Sequence, residues 1–176
     1  VLTVAALIIL GGLGFLVVHN LAFLRPWRRD RNRRGRLALN SKLVLIVTGI
    51  LILGGWGLFA VLEWNGTLNN LSWPSKLTAS LFQSVTPRTA GFNVVDMAEI
   101  SQAGLFATIC LMFIGGGSGS AAGGIKVSTA AVLWLTVMTM VKGREETVVW
   151  GRAIPIRIVR EAVSIFAMSI LCIVLI

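Results

Sequence analysis

The chain has 176 residues, 56% hydrophobic and only 13% charged, with a mean hydropathy of +0.85; this excludes an ordinary water-soluble core and places it in the integral-membrane class. A formal charge of +9 invites nucleic acid, yet eight of the 16 basic residues fall between Arg25 and Lys42 and five between Lys142 and Arg160. Each cluster flanks apolar runs, the positive-inside pattern of cytoplasmic loops rather than a phosphate-binding surface.

Val1–Val18 and Ser164–Ile176 are apolar, with no initiator Met or basic leader ahead of them. The chain reads as an internal fragment of a longer membrane protein, without a signal peptide. Residues 1–20 predict a first apolar helix, with His19 at its membrane edge. Leu43–Leu62 predicts a second, long enough to cross about 30 Å of hydrocarbon. With Arg25–Lys42 inside, that second helix runs outward, and Trp64 and Trp73 mark the outer boundary. Gly11-Gly12-Leu13-Gly14 and Gly54-Gly55-Trp56-Gly57 read as small-residue patches for close helix packing.

From Ser72 a possible N-cap and an early Pro74 open about three helical turns that end at Pro87. This helix is too short and too polar to span, and suits a re-entrant pore helix whose C-terminal dipole end faces a cation. Thr86-Pro87-Arg88-Thr89-Ala90-Gly91-Phe92-Asn93 follows at once. Its Thr89–Asn93 part has the form of a selectivity-filter turn, in which successive carbonyls replace the hydration shell of K⁺. Glycine is needed at Gly91 because such torsions are cheap only without a Cβ. Glu63, Asp96 and Glu99 fall on the predicted outer side, either as solvated carboxylates or as a field that concentrates cations. Arg88 is expected to face away from the ion and tie the turn to an acidic partner.

Ile100–Ile114 and Val127–Val141 are each short for a span. They read together as one crossing interrupted by Gly115–Lys126, tolerable at membrane depth only against protein or a wet cavity. Gly117–Ala122 matches a loose dinucleotide fingerprint and Gly119–Lys126 nearly matches a phosphate loop. Both need a preceding strand and a βαβ unit, which this sequence does not provide. The better expectation is a pliable plug beneath the filter. Lys126 within it either repels cations or anchors the loop, or else snorkels or pairs with an acid elsewhere. Residues 142–161 then return the chain to the cytoplasm, with a small hairpin expected over Thr147–Pro155 and a last helix from about Ala162. Cys110 and Cys172 sit in apolar runs and indicate neither disulfides nor a metal site.

Ser84–Asn93 and Ile114–Lys126, in this order and spacing, resemble the filter and the gating loop of the Trk/Ktr/HKT potassium transporters, with Ser118 standing where Pro is frequent and Ala121 where a hydroxyl is frequent. The resemblance implies an all-α integral membrane fold in which helix, pore helix, filter and broken helix form one of four K⁺-channel-like pseudo-repeats. Residues 1–20 would end the second repeat, 21–42 would be a basic cytoplasmic loop, and 43–141 the third repeat with filter 86–93 and intramembrane loop 115–126. Residues 142–161 would be a cytoplasmic connector and 162–176 the start of the fourth repeat.

It further implies K⁺ uptake across the cell membrane, with backbone groups of Thr89, Ala90, Gly91 and Phe92 as K⁺ ligands. The gate would comprise Gly115, Gly116, Gly117, Ser118, Gly119, Ser120, Gly123, Gly124 and Lys126. Na⁺ or H⁺ stays open as a coupled ion, and no other metal and no enzymatic activity are expected. The implied partners are the remaining repeats of the same chain, a second copy in a homodimer, a cytoplasmic nucleotide-binding regulatory subunit and the lipid bilayer, but no nucleic acid. The alternative is a non-conducting packing or assembly module of a larger membrane protein.

Overall fold

The computed structural model describes residues 1–23, 39–69, 71–88, 90–143, 147–150 and 152–175. Most of the basic segment 21–42, Thr89 of the filter turn and Arg144–Glu146 of the connector lie outside the described residues. The described elements are almost wholly helical: α1 (Leu2–Leu13), α2 (Phe15–Phe23), α3 (Leu39–Leu62), α4 (Trp73–Val85), α5 (Gln102–Phe113), α6 (Val127–Val141), the two-residue strands β1 (Val148–Val149) and β2 (Arg152–Ala153), and α7 (Ile156–Leu175). Among these, α3 and α7 are individually long and apolar enough to span a membrane.

The expected single helix over residues 1–20 is two. Gly14 takes φ 82° and ψ 151°, a backbone region essentially reserved for glycine, and the axes of α1 and α2 meet there at 97°. Apolar composition sets where a segment can reside but is blind to which glycine breaks it. The starts of α3 and α7 move outward for a related reason. α3 begins at Leu39 rather than Leu43, and α7 at Ile156 rather than Ala162, because polar side chains leave hydrocarbon without leaving the helix. In α7 Arg157 and Glu161 form an exposed i,i+4 pair at 3.0 Å, which supports the first turns.

α3 is the post on which the rest is hung. Leu13 and Val17 pack on its Val44; Ala131 of α6 and Val149 of β1 pack on Leu43; Ala107 and Leu111 of α5 pack on Phe59. α7 closes against α6 through Val132, Val159 and Ala162. The expected hairpin forms, with Val148 opposite Ala153 and Val149 opposite Arg152. Lys42 at the start of α3 lies 5.7 Å from the Trp150 ring centroid, a cation–π contact.

α4 forms where expected and ends at Val85, two residues before the expected Pro87. Ser72 is its N-cap and Pro74 lies in its first turn, where a missing N–H costs nothing. Two contacts from α4 and one from the turn that follows it line one face of α3, four residues apart. Trp56 Nε1 donates to the Leu77 carbonyl at 3.0 Å, Ser84 Oγ to the Ile52 carbonyl at 2.8 Å, and Arg88 Nη2 to the Thr48 carbonyl at 3.3 Å.

Candidate functional site

The turn after α4 is held from within. The Ala90 N–H donates to the Thr86 carbonyl at 3.2 Å and the Arg88 N–H to the Val85 carbonyl at 3.3 Å. The Thr86 hydroxyl donates to the Phe92 carbonyl, tying the far end of the turn to the last turn of the pore helix. Gly91 takes φ 73°, so glycine is required by torsion. A Cβ there meets nothing within 4 Å, and Gly91 and Phe92 are both exposed. Arg88, by contrast, is buried and reaches α3, where its Nη2 donates to the Thr48 carbonyl.

The glycine loop lies farther along α3 toward Leu39. A Cβ on Gly117 would approach Val44 Cγ1 at 3.1 Å, one helical turn from the Thr48 carbonyl that Arg88 reaches. Thr48 and Val44 are four residues, about 6 Å of helix rise, apart, so the Arg88 guanidinium and the loop at Gly117 meet α3 on successive turns.

Gly115, Gly116, Gly117, Ser118, Gly119, Ser120, Gly123, Gly124 and Lys126 are brought together in one compact excursion. Ile114 and Ile125 form a parallel bridge. The Gly115 N–H donates to the Ile125 carbonyl at 2.9 Å, the Ile125 N–H to the Phe113 carbonyl at 3.0 Å, and the Val127 N–H to the Gly116 carbonyl at 3.0 Å. Several of these glycines are also sites of close backbone approach. A Cβ on Gly115 would lie 1.6 Å from the Gly123 carbonyl oxygen, so glycine permits backbone-on-backbone packing.

Lys126 Nζ donates to the Ala122 carbonyl at 2.8 Å. Of the roles open to Lys126, anchoring is the one this contact serves. The Ser118 and Ser128 hydroxyls lie 3.0 Å apart, joining the loop to the first turn of α6.

Glu63 departs from the expectation of a solvated or field-focusing carboxylate. It is buried, and its Oε1 accepts from the backbone N–H of Ser101 at 3.1 Å and from the Ser101 hydroxyl, while Oε2 accepts from Thr67 Oγ1 at 3.1 Å. Ser101 Oγ in turn accepts from the Gly104 N–H at 3.1 Å as the N-cap of α5. Burial pushes the Glu63 carboxyl up, but the hydrogen bonds from Ser101 and Thr67 outweigh it and hold the group below its ordinary range. Asp96 and Glu99 are exposed, with Asp96 Oδ1 accepting from the Ala98 N–H at 2.9 Å.

Sequence reasoning missed Glu63 as a structural clamp, because its partner is 38 residues away. It also missed the first glycine cluster. The Gly117 N–H donates to the Gly12 carbonyl at 2.8 Å, and the Phe15 N–H to the Gly119 carbonyl at 3.3 Å. Simple helix packing does fit the second cluster, where a Cβ on Gly55 would lie 2.5 Å from Ser84 Oγ.

The model of the TrkH family, described as a cation transport protein, matches residues 1–176. The chain is 40% identical over 176 residues to the potassium/sodium uptake protein NtpJ of Enterococcus hirae, covering 99% of this chain and 38% of that protein. It is 38% identical over 169 residues to the Ktr system potassium uptake protein B of Vibrio alginolyticus, covering 95% of this chain and 36% of the relative. The crystal structure of the potassium transporter TrkH from Vibrio parahaemolyticus matches 97% of this chain and 36% of its own with a TM-score of 0.71 at 22% identity, a likeness of fold. The chain therefore spans somewhat over a third of the length of these relatives. Its all-α, K⁺-channel-like membrane architecture and the match along its whole length lead to one assignment: the chain belongs to the TrkH family of cation transport proteins.

Proposed function

We propose that this chain supplies one helix–pore–helix repeat, the third of four, to a potassium uptake protein of the cell membrane. The filter comprises Thr89, Ala90, Gly91 and Phe92, and the gate is the loop Gly115–Lys126. The observation that carries the reading is the order of pore helix, glycine turn and glycine loop, with both the turn's Arg88 and the loop's Gly117 set against α3. A pore helix ends at a turn containing a positive-φ glycine, and a glycine loop tied by its own backbone interrupts the following apolar helices. The names of the relatives, a potassium/sodium uptake protein and a potassium uptake protein, support K⁺ as the ion.

On this reading residues 1–20 end the second repeat and α7 begins the fourth, and segments 21–42 and 142–161 face the cytoplasm. One filter turn cannot surround an ion, so the remaining repeats of the same chain complete the ring. A homodimer and a cytoplasmic nucleotide-binding subunit complete the assembly, with Na⁺ or H⁺ as candidates for a coupled ion.

The test is K⁺ and Na⁺ uptake by the full-length protein in cells lacking their own K⁺ uptake, with wild type compared to Gly91→Ser at matched membrane abundance. Restored K⁺ uptake that loses affinity or admits Na⁺ in the variant supports the filter. Identical behaviour of the two would put a non-conducting packing module ahead.

A further inference from the structure

The bend at Gly14 and the glycine loop are joined more closely than neighbouring helices require. The last turn of α1 offers its Gly12 carbonyl to the Gly117 N–H at 2.8 Å, and the first residue of α2 takes the Gly119 carbonyl through the Phe15 N–H at 3.3 Å. Both groups are free for this purpose because the helix is broken between them. A C-terminal carbonyl of α1 and an N-terminal N–H of α2 are the kinds of backbone group a continuous helix would satisfy internally.

The approach is also as close as backbone allows. A Cβ on Gly14 would fall 2.4 Å from the Ser118 carbonyl oxygen, and one on Gly117 would fall 2.4 Å from the Leu13 carbonyl oxygen. Glycine on each side is what lets the two backbones meet. Gly11, in the same cluster, has nothing within 4 Å of a built Cβ, so the requirement is specific to the bend.

We propose that the α1–α2 bend at Gly14 is a latch for the loop, holding Gly117–Gly119 docked through the Gly12 carbonyl and the Phe15 N–H, so that movement of α1 against α2 releases the loop. The latch is a statement about docking; its consequence for ion flux rests on reading the loop as a gate. In that case the helix preceding α3 communicates with the gate of the repeat that follows it.

Two variants weaken the latch in different ways. Gly14→Ala places a Cβ against Ser118 and in a torsion that L-residues avoid. Phe15→Pro removes the N–H that meets Gly119, at the first helical position, where proline is tolerated; it also removes the ring that lies 5.7 Å from the His19 ring, a loss that Phe15→Leu reproduces with the N–H kept. Phe15 is itself exposed, so its ring is not part of the core. The control is Gly11→Ala.

The experiment uses the full-length protein in membranes, with every native cysteine, Cys110 and Cys172 among them, replaced by Ser and a single reporter, Ala121→Cys, on the exposed part of the loop. The rate of labelling by a membrane-impermeant thiol reagent is read in inside-out vesicles, with K⁺ uptake measured in parallel. Labelling about fivefold faster in Phe15→Pro, the population change expected from one lost backbone hydrogen bond, with Gly11→Ala unchanged, supports the latch. Labelling at the wild-type rate in correctly inserted Phe15→Pro overturns it, whether or not Gly14→Ala inserts. Faster labelling with unchanged K⁺ uptake leaves the latch standing and overturns the gate instead.

Discussion

The Ser84 hydroxyl of the pore helix reaches the Ile52 carbonyl of α3 at 2.8 Å beside Gly55, where a Cβ would lie 2.5 Å from Ser84 Oγ. The pore helix is therefore seated on α3 at a position where a side chain has no room. Gly54, its neighbour in sequence, has nothing within 4 Å of a built Cβ.

Gly55→Ala should destabilise the full-length protein by about 1–3 kcal/mol, as overpacking does. Gly54→Ala should be neutral or gain about 0.5–1 kcal/mol from reduced backbone entropy. Thermal unfolding in detergent, read as Tm, checks both, and equal shifts for the two would contradict the seating described here.

Glu63 predicts a pH dependence with a definite sign. Its folded-state carboxyl titrates below the ordinary range, so its contribution is present above the unfolded value of about 4.3 and is lost as pH falls below that value. Glu63→Gln should cost about 1–3 kcal/mol at pH 7, since donors on Ser101 and Thr67 lose a charged acceptor. The gap between wild type and variant should narrow as the pH is lowered from 5 toward 3. A gap that widens instead would show that the carboxyl is not stabilised in its charged form.

Within the loop, Gly115→Ala should be the most damaging single change, because its Cβ would coincide with the Gly123 carbonyl. The expected result is a loop that no longer closes, with K⁺ uptake raised in protein of normal abundance. Removing residues 117–121 should raise it likewise. Lower or unchanged uptake in either would speak against an obstruction at this place.

Lys126→Met removes the bond to the Ala122 carbonyl and keeps the length of the side chain. If Lys126 anchors the loop, thiol labelling of Ala121→Cys should accelerate about fivefold, the effect of a bond worth roughly 1 kcal/mol. Lys126→Arg keeps a donor and should lie between wild type and Met. Labelling that ignores both changes would return Lys126 to a purely electrostatic role.

The elements most legible in the sequence are those fixed by short-range chemistry. The membrane class follows from composition, the pore helix from the Ser72 and Pro74 start and the Pro87 end, the Gly91 torsion from the demand for positive φ, and the interruption at 115–126 from a run of glycine between two apolar halves. Each is local, because hydropathy, capping and backbone sterics act over a few residues.

The tertiary structure alone decided which glycine does what. Gly11, Gly12 and Gly14 are alike in sequence, yet only Gly14 takes the bend and only Gly12 offers its carbonyl to the loop. It likewise turned Glu63 from an apparent surface acid into a buried clamp on Ser101, and gave Arg88 a carbonyl of α3 as partner. These assignments depend on groups tens to about a hundred residues apart meeting in space, and no periodicity or local spacing encodes such a meeting. Sequence by itself determined where this chain resides and what kind of repeat it builds; packing along α3 determined which side chains and carbonyls hold the filter turn and the loop in place.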